Sequence, residues 1–314
     1  MSLLIRSPNP LTIDPGRWKE AISTFMPELE ICLWPDVGDP AQVEYLLAQS
    51  AEPELFRRLT RLKFMQQFGA GADHILSAAA IPPDLPVSRM VDPEMANSMS
   101  LFVLAAVLRY HRNLDLYHQQ QTARVWKRLP VTAARDRTVG VMGLGALGSA
   151  LCAKLVALCF RVVGWSRTEK ALPEVDAYHG ATGLEGFLKR SEILVCLLPL
   201  TPETHGILNR DTFARMPHRS YLINAGRGEH HVLADILAAL DSGQLAGATL
   251  DVHAHDPNPP PADSPIWDHR LIDITPHTAT VINPVSAARY VVANIRRVRD
   301  GQKPWNVVDR TSGY

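Results

Sequence analysis

The residues whose spacing carries the most chemistry lie in the middle of the chain. Gly143-Leu144-Gly145-Ala146-Leu147-Gly148 follows an apolar run at residues 138–142 and opens a helical pattern at residues 146–159. Between a strand and a helix, the first glycine of such a set permits a tight turn. The second lets the backbone approach a pyrophosphate, and the third lets helix and strand pack closely. The helix N-terminus then offers unpaired N–H groups and partial positive charge to the phosphates. About 20 residues past such a loop, a carboxylate at the end of the next strand bonds the ribose hydroxyls of NAD. Here that end reads Ser166-Arg167-Thr168, with no carboxylate. A guanidinium beside two hydroxyls suits a 2′-phosphate instead. The sequence favours NADP(H), with NAD(H) as the alternative if Glu169 takes the ribose.

Three further segments end predicted strands, where the sites of open α/β sheets lie. Asn224-Ala225-Gly226-Arg227-Gly228 follows a strand at residues 221–224, Asp256-Pro257 follows one ending at Val252, and Thr275-Pro276-His277 ends another. Hydride reduction of a 2-oxo acid needs a cation for the substrate carboxylate and ketone. It also needs an acid of near-neutral pKa for the forming alkoxide, which histidine supplies best, and a carboxylate to orient that acid. Arg227, His277 and Asp256 are of these three types, and their meeting beside a dinucleotide loop makes them candidate catalytic residues. His253 and His255 beside Asp256 invite a metal reading. Without further ligands at fixed spacing a solvated loop is the better one, and no metal is expected. His230 and His231 read as solvated side chains or as lining of the site.

The elements that must position these groups alternate. Residues 1–94 read as a first α/β unit. It has a strand at 29–34, helices at 42–48 and 54–62, an extended segment at 62–68 ending at Gly69-Ala70-Gly71, and a proline-rich loop at 81–86. One long helix over residues 95–120, free of proline and glycine, links this unit to the next. Strands then fall at 138–142, 161–165, 193–198, 221–224, 248–252 and 271–275, with helices at 146–159 and 232–241. The run at 193–198 is wholly apolar, as strands covered on both faces must be. Such alternation implies βαβ units and a doubly wound parallel sheet. A final helix at 284–299 has no partner strand after it, and its return to the first unit would make that unit discontinuous.

At 314 residues the chain accommodates about two domains. Apolar residues make up 46% and charged residues 20%, and 32 basic residues balance 32 acidic ones. No global field therefore draws it to nucleic acid or to an anionic membrane. The four cysteines form no CxxC, and three lie in apolar stretches where a thiol acts as a small hydrophobe. The first eight residues lack a signal-peptide core, and no run approaches the ~18 apolar residues of a span. A reducing cytoplasm is the expected location.

The ordered set of the glycine loop, Leu198-Pro199-Leu200-Thr201-Pro202-Glu203-Thr204, Asn224-Ala225-Gly226-Arg227-Gly228, Leu250-Asp251-Val252 and Thr275-Pro276-His277 resembles the D-isomer-specific 2-hydroxyacid dehydrogenases over nearly the whole chain. Gly69-Ala70-Gly71-Ala72-Asp73 resembles that family's substrate-carboxylate loop. Trp165-Ser166-Arg167 and the C-terminal Val308-Asp309-Arg310-x-x-Gly313-Tyr314 resemble its glyoxylate/hydroxypyruvate reductase A branch.

The resemblance implies two Rossmann-like domains with doubly wound parallel sheets, the nucleotide domain inserted into a discontinuous substrate domain. Residues 1–97 and 285–314 would bind substrate and residues 98–284 the dinucleotide, with a cleft between them. The helix over 95–120 would lie in a homodimer interface. Arg227 would bind the substrate's carboxylate and carbonyl, His277 would donate the proton and Asp256 would pair with it. Amides of Ala70 and Gly71 would hold the carboxylate. Leu198, Pro199, Thr204, Ala225 and Gly226, with Ala146 and Leu147 of the glycine loop, would lie along the dinucleotide, and Asp251 would meet the nicotinamide carboxamide.

The implied reaction is NADPH-dependent reduction of glyoxylate and hydroxypyruvate to glycolate and D-glycerate. The other readings are reduction of a larger 2-oxo acid such as phenylpyruvate, or a dinucleotide-sensing protein with weakened catalysis. One departure stands out: the family generally has Glu before the proline where this chain has Asp256. A side chain one methylene shorter is expected to meet His277 at longer range or through water.

Overall fold

The computed structural model describes residues 1–7, 13–49, 52–71, 81–256, 258–280 and 282–310. The chain divides into two compact units, one of residues 1–95 and 282–314 and the other of residues 96–281.

In the first unit, strand β1 (Ser2–Arg6) runs parallel to β2 (Glu30–Leu33) on one side and to β3 (Val43–Ala48) on the other. Strands β4 (Phe64–Gln66) and β5 (Val87–Ser88) complete a five-stranded parallel sheet in the order β2-β1-β3-β4-β5. Helix α1 (Pro15–Phe25) starts where the Asp14 carboxylate accepts the Gly16 N–H, with proline in its first turn. Helix α2 (Pro53–Arg58) is shorter than the span read at 54–62. The helix expected over 42–48 is strand β3, entered through a 3-10 turn at Pro40–Gln42. All six residues of β3 are buried, Glu44 among them, so the strand shows no in–out alternation, and a short run of that kind does not distinguish strand from helix by periodicity.

Two elements of the second unit begin with the linking segment. Pro93–His111 forms α3 and Leu114–Thr122 forms α4, so the single helix expected over 95–120 is broken. The break falls at Asn113, whose φ of 56° lies in the left-handed region that asparagine tolerates better than most residues. No described helix is long and apolar enough to cross a membrane.

Seven parallel strands follow: β6 (Thr138–Met142), β7 (Arg161–Ser166), β8 (Val175–His179), β9 (Ile193–Cys196), β10 (Ser220–Asn224), β11 (Leu245–Leu250) and β12 (Ile272–Ile274). Their order is β12-β11-β10-β9-β6-β7-β8. The chain winds outward from β6 through β7 to β8, then crosses back to β9 and winds the other way. A crevice opens at such a switch point, here between β6 and β9 at the strands' C-terminal ends. Alternate residues face opposite layers. Val139, Val141, Ile193, Val195 and Ile223 join one buried cluster, while Met142, Leu194, Cys196 and Leu222 join the other. Helices α5 (Ala146–Ala157), α6 (Gly180–Leu188), α7 (Arg210–Ala214) and α8 (Leu233–Asp241) complete the unit.

Helix α9 (Pro284–Arg299) belongs to the first unit, where it packs against α1. It buries Ala287, Ala288, Val291, Val292 and Ile295, and its buried Asn294 donates to the Gln66 side chain at 2.9 Å. All four cysteines are free thiols. Cys152 and Cys196 are buried, and burial pushes both thiols up to about 12, whereas Cys159 is exposed.

Candidate active site

The glycine loop leaves β6 at Gly143, whose N–H donates to the Trp165 carbonyl at 2.8 Å. Gly143 has a φ of 102°, and a Cβ there would stand 2.7 Å from the Leu197 carbonyl oxygen. A Cβ on Gly148 would stand 1.8 Å from the Gly143 carbonyl oxygen, so the protein's own backbone occupies that space. Gly145 differs: nothing lies within 4 Å of its Cβ position. It is exposed and caps α5 without a side-chain hydrogen bond. The N-terminal end of α5 is therefore uncovered at Gly145, which leaves the room a phosphate needs there.

At the end of β7, Ser166 is buried and donates its hydroxyl to the Thr168 carbonyl at 2.7 Å, while Arg167 is exposed. The hydroxyl expected to face a ligand thus ties its own turn. Arg167 lies near the 199–204 loop. The Glu203 carboxyl there is held below its ordinary value, first by a hydrogen bond from Thr201 and further by the charge of Arg167. Thr204 fixes that loop, donating to the Pro199 carbonyl at 2.7 Å and accepting from the Thr201 N–H at 2.8 Å. Leu198 is part of the core.

Arg227 leaves the end of β10 between two glycines that the packing requires. A Cβ on Gly226 would stand 2.8 Å from His230 Nδ1, and one on Gly228 would stand 2.0 Å from the His253 carbonyl carbon. The second contact seats the Arg227 loop directly on the segment that carries Asp256. Asn224 organises the turn. Its amide donates to the Arg227 carbonyl at 2.9 Å and to His231 Nδ1 at 3.0 Å, and its oxygen accepts the Gly226 N–H at 3.1 Å. His230 and His231, read as solvated or as lining of the site, are buried, at 0% and 8% exposure. Burial pushes His231 down to about 4, so its ring is neutral. His230 closes a 3-10 turn at Gly228–His230 and His231 follows as its C-cap.

His277 follows β12 in the left-handed region, at a φ of 52°. Asp251 builds this turn. Its carboxylate accepts the Thr275 hydroxyl at 2.6 Å, the Thr278 N–H at 2.8 Å and the Ala279 N–H at 2.9 Å, and its carbonyl accepts the His277 N–H at 2.8 Å. Asp251 is 1% exposed, so the structure places it beneath the His277 turn.

The Asp256 carboxylate meets His277 Nδ1 directly. The longer or bridged contact expected from the shorter side chain does not occur, because the loop itself brings Asp256 to the imidazole. The His277 side chain remains 46% exposed and that of Asp256 21%. His253, whose pKa burial lowers, and His255 have ring centroids 6.1 Å apart. Among the described residues no three His, Cys, Asp or Glu side chains group to hold a metal.

Arg227, Asp256 and His277 thus follow the ends of the adjacent strands β10, β11 and β12. Ala70 and Gly71 lie past β4 in the first unit, where the Gly69 carbonyl accepts the Met90 N–H; Ala72 and Asp73 fall outside the described residues. Near the C-terminus, Val308 donates its N–H to the Val87 carbonyl, and Arg310 donates to the carbonyls of Ile81, Pro82 and Leu85. Gly313 and Tyr314 also lie outside them.

A doubly wound sheet with this glycine loop and these strand-end groups defines a dinucleotide-binding oxidoreductase. Residues 104–279 match the family model of the D-isomer specific 2-hydroxyacid dehydrogenase NAD-binding domain. Three solved structures are similar over the whole chain. A D-isomer specific 2-hydroxyacid dehydrogenase from Xanthobacter autotrophicus Py2, in complex with NADPH and MES, is 38% identical over 100% of this chain and 99% of that one, with a TM-score of 0.95. The NADPH-dependent glyoxylate/hydroxypyruvate reductase of Sinorhizobium meliloti, with NADP and sulfate, is 35% identical over 100% of both chains, with a TM-score of 0.91. A probable 2-hydroxyacid dehydrogenase from Rhizobium etli CFN 42, with NADP, HEPES and L(+)-tartaric acid, is 35% identical over 100% and 99%, with a TM-score of 0.89. The chain belongs to the D-isomer specific 2-hydroxyacid dehydrogenase family. It is an enzyme with 2-hydroxyacid dehydrogenase activity.

Proposed function

We propose that this enzyme uses NADPH to reduce small 2-oxo acids, glyoxylate and hydroxypyruvate, to glycolate and D-glycerate. The observation that carries the reading is the direct Asp256–His277 contact beside a loop bearing Arg227. The likeness to the Sinorhizobium reductase supports the substrate class. The dinucleotide fits the chain's own geometry: the N-terminus of α5 is open at Gly145, and Arg167 stands exposed at the end of β7 for a 2′-phosphate. Three neighbours were crystallised with NADPH or NADP, in agreement with that choice.

Bound NADPH supplies the hydride. Arg227 pairs with the substrate carboxylate and polarises the ketone, which its planar fork of donors suits. His277 gives a proton from its Nε2 to the oxygen that becomes the hydroxyl, and Asp256 fixes the ring by holding Nδ1–H. Asp251 keeps His277 in its left-handed turn. The domain roles follow: residues 96–281 hold the dinucleotide, and the first unit serves the substrate.

Exposed apolar side chains on α3, α4 and the following loop, Leu101, Leu108, Leu114, Val125, Trp126 and Val131, support a homodimer through this region. Light scattering of wild type against Trp126→Asp tests that state. For the reaction, NADPH is expected to raise the melting temperature more than NADH. Arg227→Ala and His277→Ala are each expected to abolish glyoxylate-dependent NADPH oxidation while leaving the fold intact. Equal cofactor shifts would overturn the Arg167 reading, and either variant at wild-type rate would remove that residue from the mechanism.

A further inference from the structure

His230 has no part in the chemistry above, yet it is fully buried and its ring joins two loops of the site. Its Nδ1 accepts the Arg227 N–H at 3.0 Å, and its Nε2 lies 3.2 Å from the Pro199 carbonyl oxygen. An N–H at one nitrogen and a carbonyl at the other require the neutral ring with its proton on Nε2. The backbone on either side is latched as well. The Glu229 carbonyl accepts the Gly206 N–H and the His230 carbonyl accepts the Leu208 N–H, both at 2.8 Å. The ring lies against the bare Cα of Gly226. Pro199, in turn, follows the Leu197–Leu198 backbone that abuts Gly143. A short covalent and hydrogen-bonded path therefore runs from the dinucleotide loop through Leu198, Pro199 and His230 to the main chain of Arg227.

We propose that His230 is a positioning residue whose imidazole braces the Arg227 loop against the 199–204 loop, keeping the guanidinium in register with the dinucleotide side of the site. The inference rests on the reading of Arg227 as the substrate cation. A backbone amide held at its hydrogen-bond partner fixes the base of the long arginine side chain, so fewer of its rotamers miss the substrate. The same ring stops the Pro199 segment from lifting off the Gly143 turn. Neutral imidazole suits this place because it is rigid and carries an acceptor and a donor on opposite sides.

The two bonds can be removed separately. His230→Gln places an amide nitrogen near the former Nε2 and keeps the donor to Pro199, but gives up the acceptor for Arg227. His230→Asn places an oxygen near the former Nδ1 and keeps that acceptor, but gives up the bond to Pro199. Each lost bond is expected to cost about tenfold in the parameter it controls. The Gln variant should show a KM for glyoxylate raised about tenfold with the NADPH Kd within about twofold of wild type. The Asn variant should show the reverse, a weakened NADPH Kd with the glyoxylate KM nearly unchanged. If both variants move both parameters alike, or lower only the melting temperature, His230 is a packing residue and the proposal falls. His230→Leu, which removes both bonds, should combine the two defects. If it does not fold, the Gln and Asn pair still decides. Arg227→Ala, assayed alongside, separates the two ideas. Wild-type turnover in that variant would overturn the role of Arg227, while the NADPH Kd of the Asn variant still tests the brace.

Discussion

Replacing Gly228 by alanine should cripple catalysis from a position that carries no functional group. The new Cβ would stand 2.0 Å from the His253 carbonyl carbon, 2.1 Å from its oxygen and 2.5 Å from the Ala254 nitrogen. Ordinary contact begins at 3.4 Å, so the two segments must part by 3.4 minus 2.0, or 1.4 Å. The obstacle is backbone on both sides, and no flexible side-chain end can yield. His253 accepts the Asp256 N–H at 3.0 Å, so a displaced His253 carries Asp256 away from His277. A misplacement of about 1 Å at reacting groups costs on the order of 10²-fold. Overpacking of this kind costs about 1–3 kcal/mol of stability, which lowers the melting temperature by several degrees. Steady-state kinetics with glyoxylate and NADPH, together with thermal unfolding, reads both effects. The expected result is a kcat/KM lowered about 100-fold with NADPH affinity nearly preserved, since the α5 end of the site is untouched. A Gly228→Ala enzyme within threefold of wild type would refute the claim that this close approach holds the acid pair in place.

The three glycines of the dinucleotide loop should part company on substitution. Gly148→Ala must displace the Gly143 carbonyl and should destabilise the fold by roughly 1–3 kcal/mol, whereas Gly145→Ala meets nothing and should weaken NADPH binding at unchanged melting temperature; equal melting temperatures for the two would contradict this. His231, pushed down to about 4 by burial, takes up its proton more readily in the unfolded chain, so it favours folding above the ordinary histidine value of 6.5. That contribution, up to about 3 kcal/mol, is lost as pH falls from 6.5 towards 4. Urea unfolding of wild type and His231→Asn at pH 7 and pH 4.5 checks the sign, and a stability difference independent of pH would rule the linkage out. Asp256→Asn keeps the shape but removes the charge facing His277, and kcat with glyoxylate should fall by about 10²-fold with little change in KM. A kcat within twofold of wild type would show that the carboxylate does not matter.

Some of this site is local and therefore legible in the chain. The turn at Gly143 needs its glycine through its own positive φ, and Gly148 is excluded from bearing a side chain by a residue five positions away. The strands β6, β9 and β10 are buried on both faces, which writes them as apolar runs. By contrast β8 is an edge strand with mostly exposed residues, and nothing in its polar pattern marked it. The span at 42–48 was misread because a buried strand and a buried helix segment look alike over six residues. The break at Asn113 escaped because one left-handed residue suffices to end a helix that contains neither proline nor glycine.

Residue types at strand ends, read in order, were enough to nominate Arg227, Asp256 and His277, because an open parallel sheet delivers successive strand ends to one edge. What they could not show is how those groups are held. Asp251 owes its place under the His277 turn to partners 24 to 28 residues downstream. His230 finds the partner for its Nε2 in Pro199, 31 residues upstream. Whether Asp256 reaches His277 depends on a loop path set by Gly228, on a different strand end. Backbone requirements act over a few residues and leave their mark on sequence, whereas side-chain partnership depends on which loops the sheet brings together, and only the folded chain decides that.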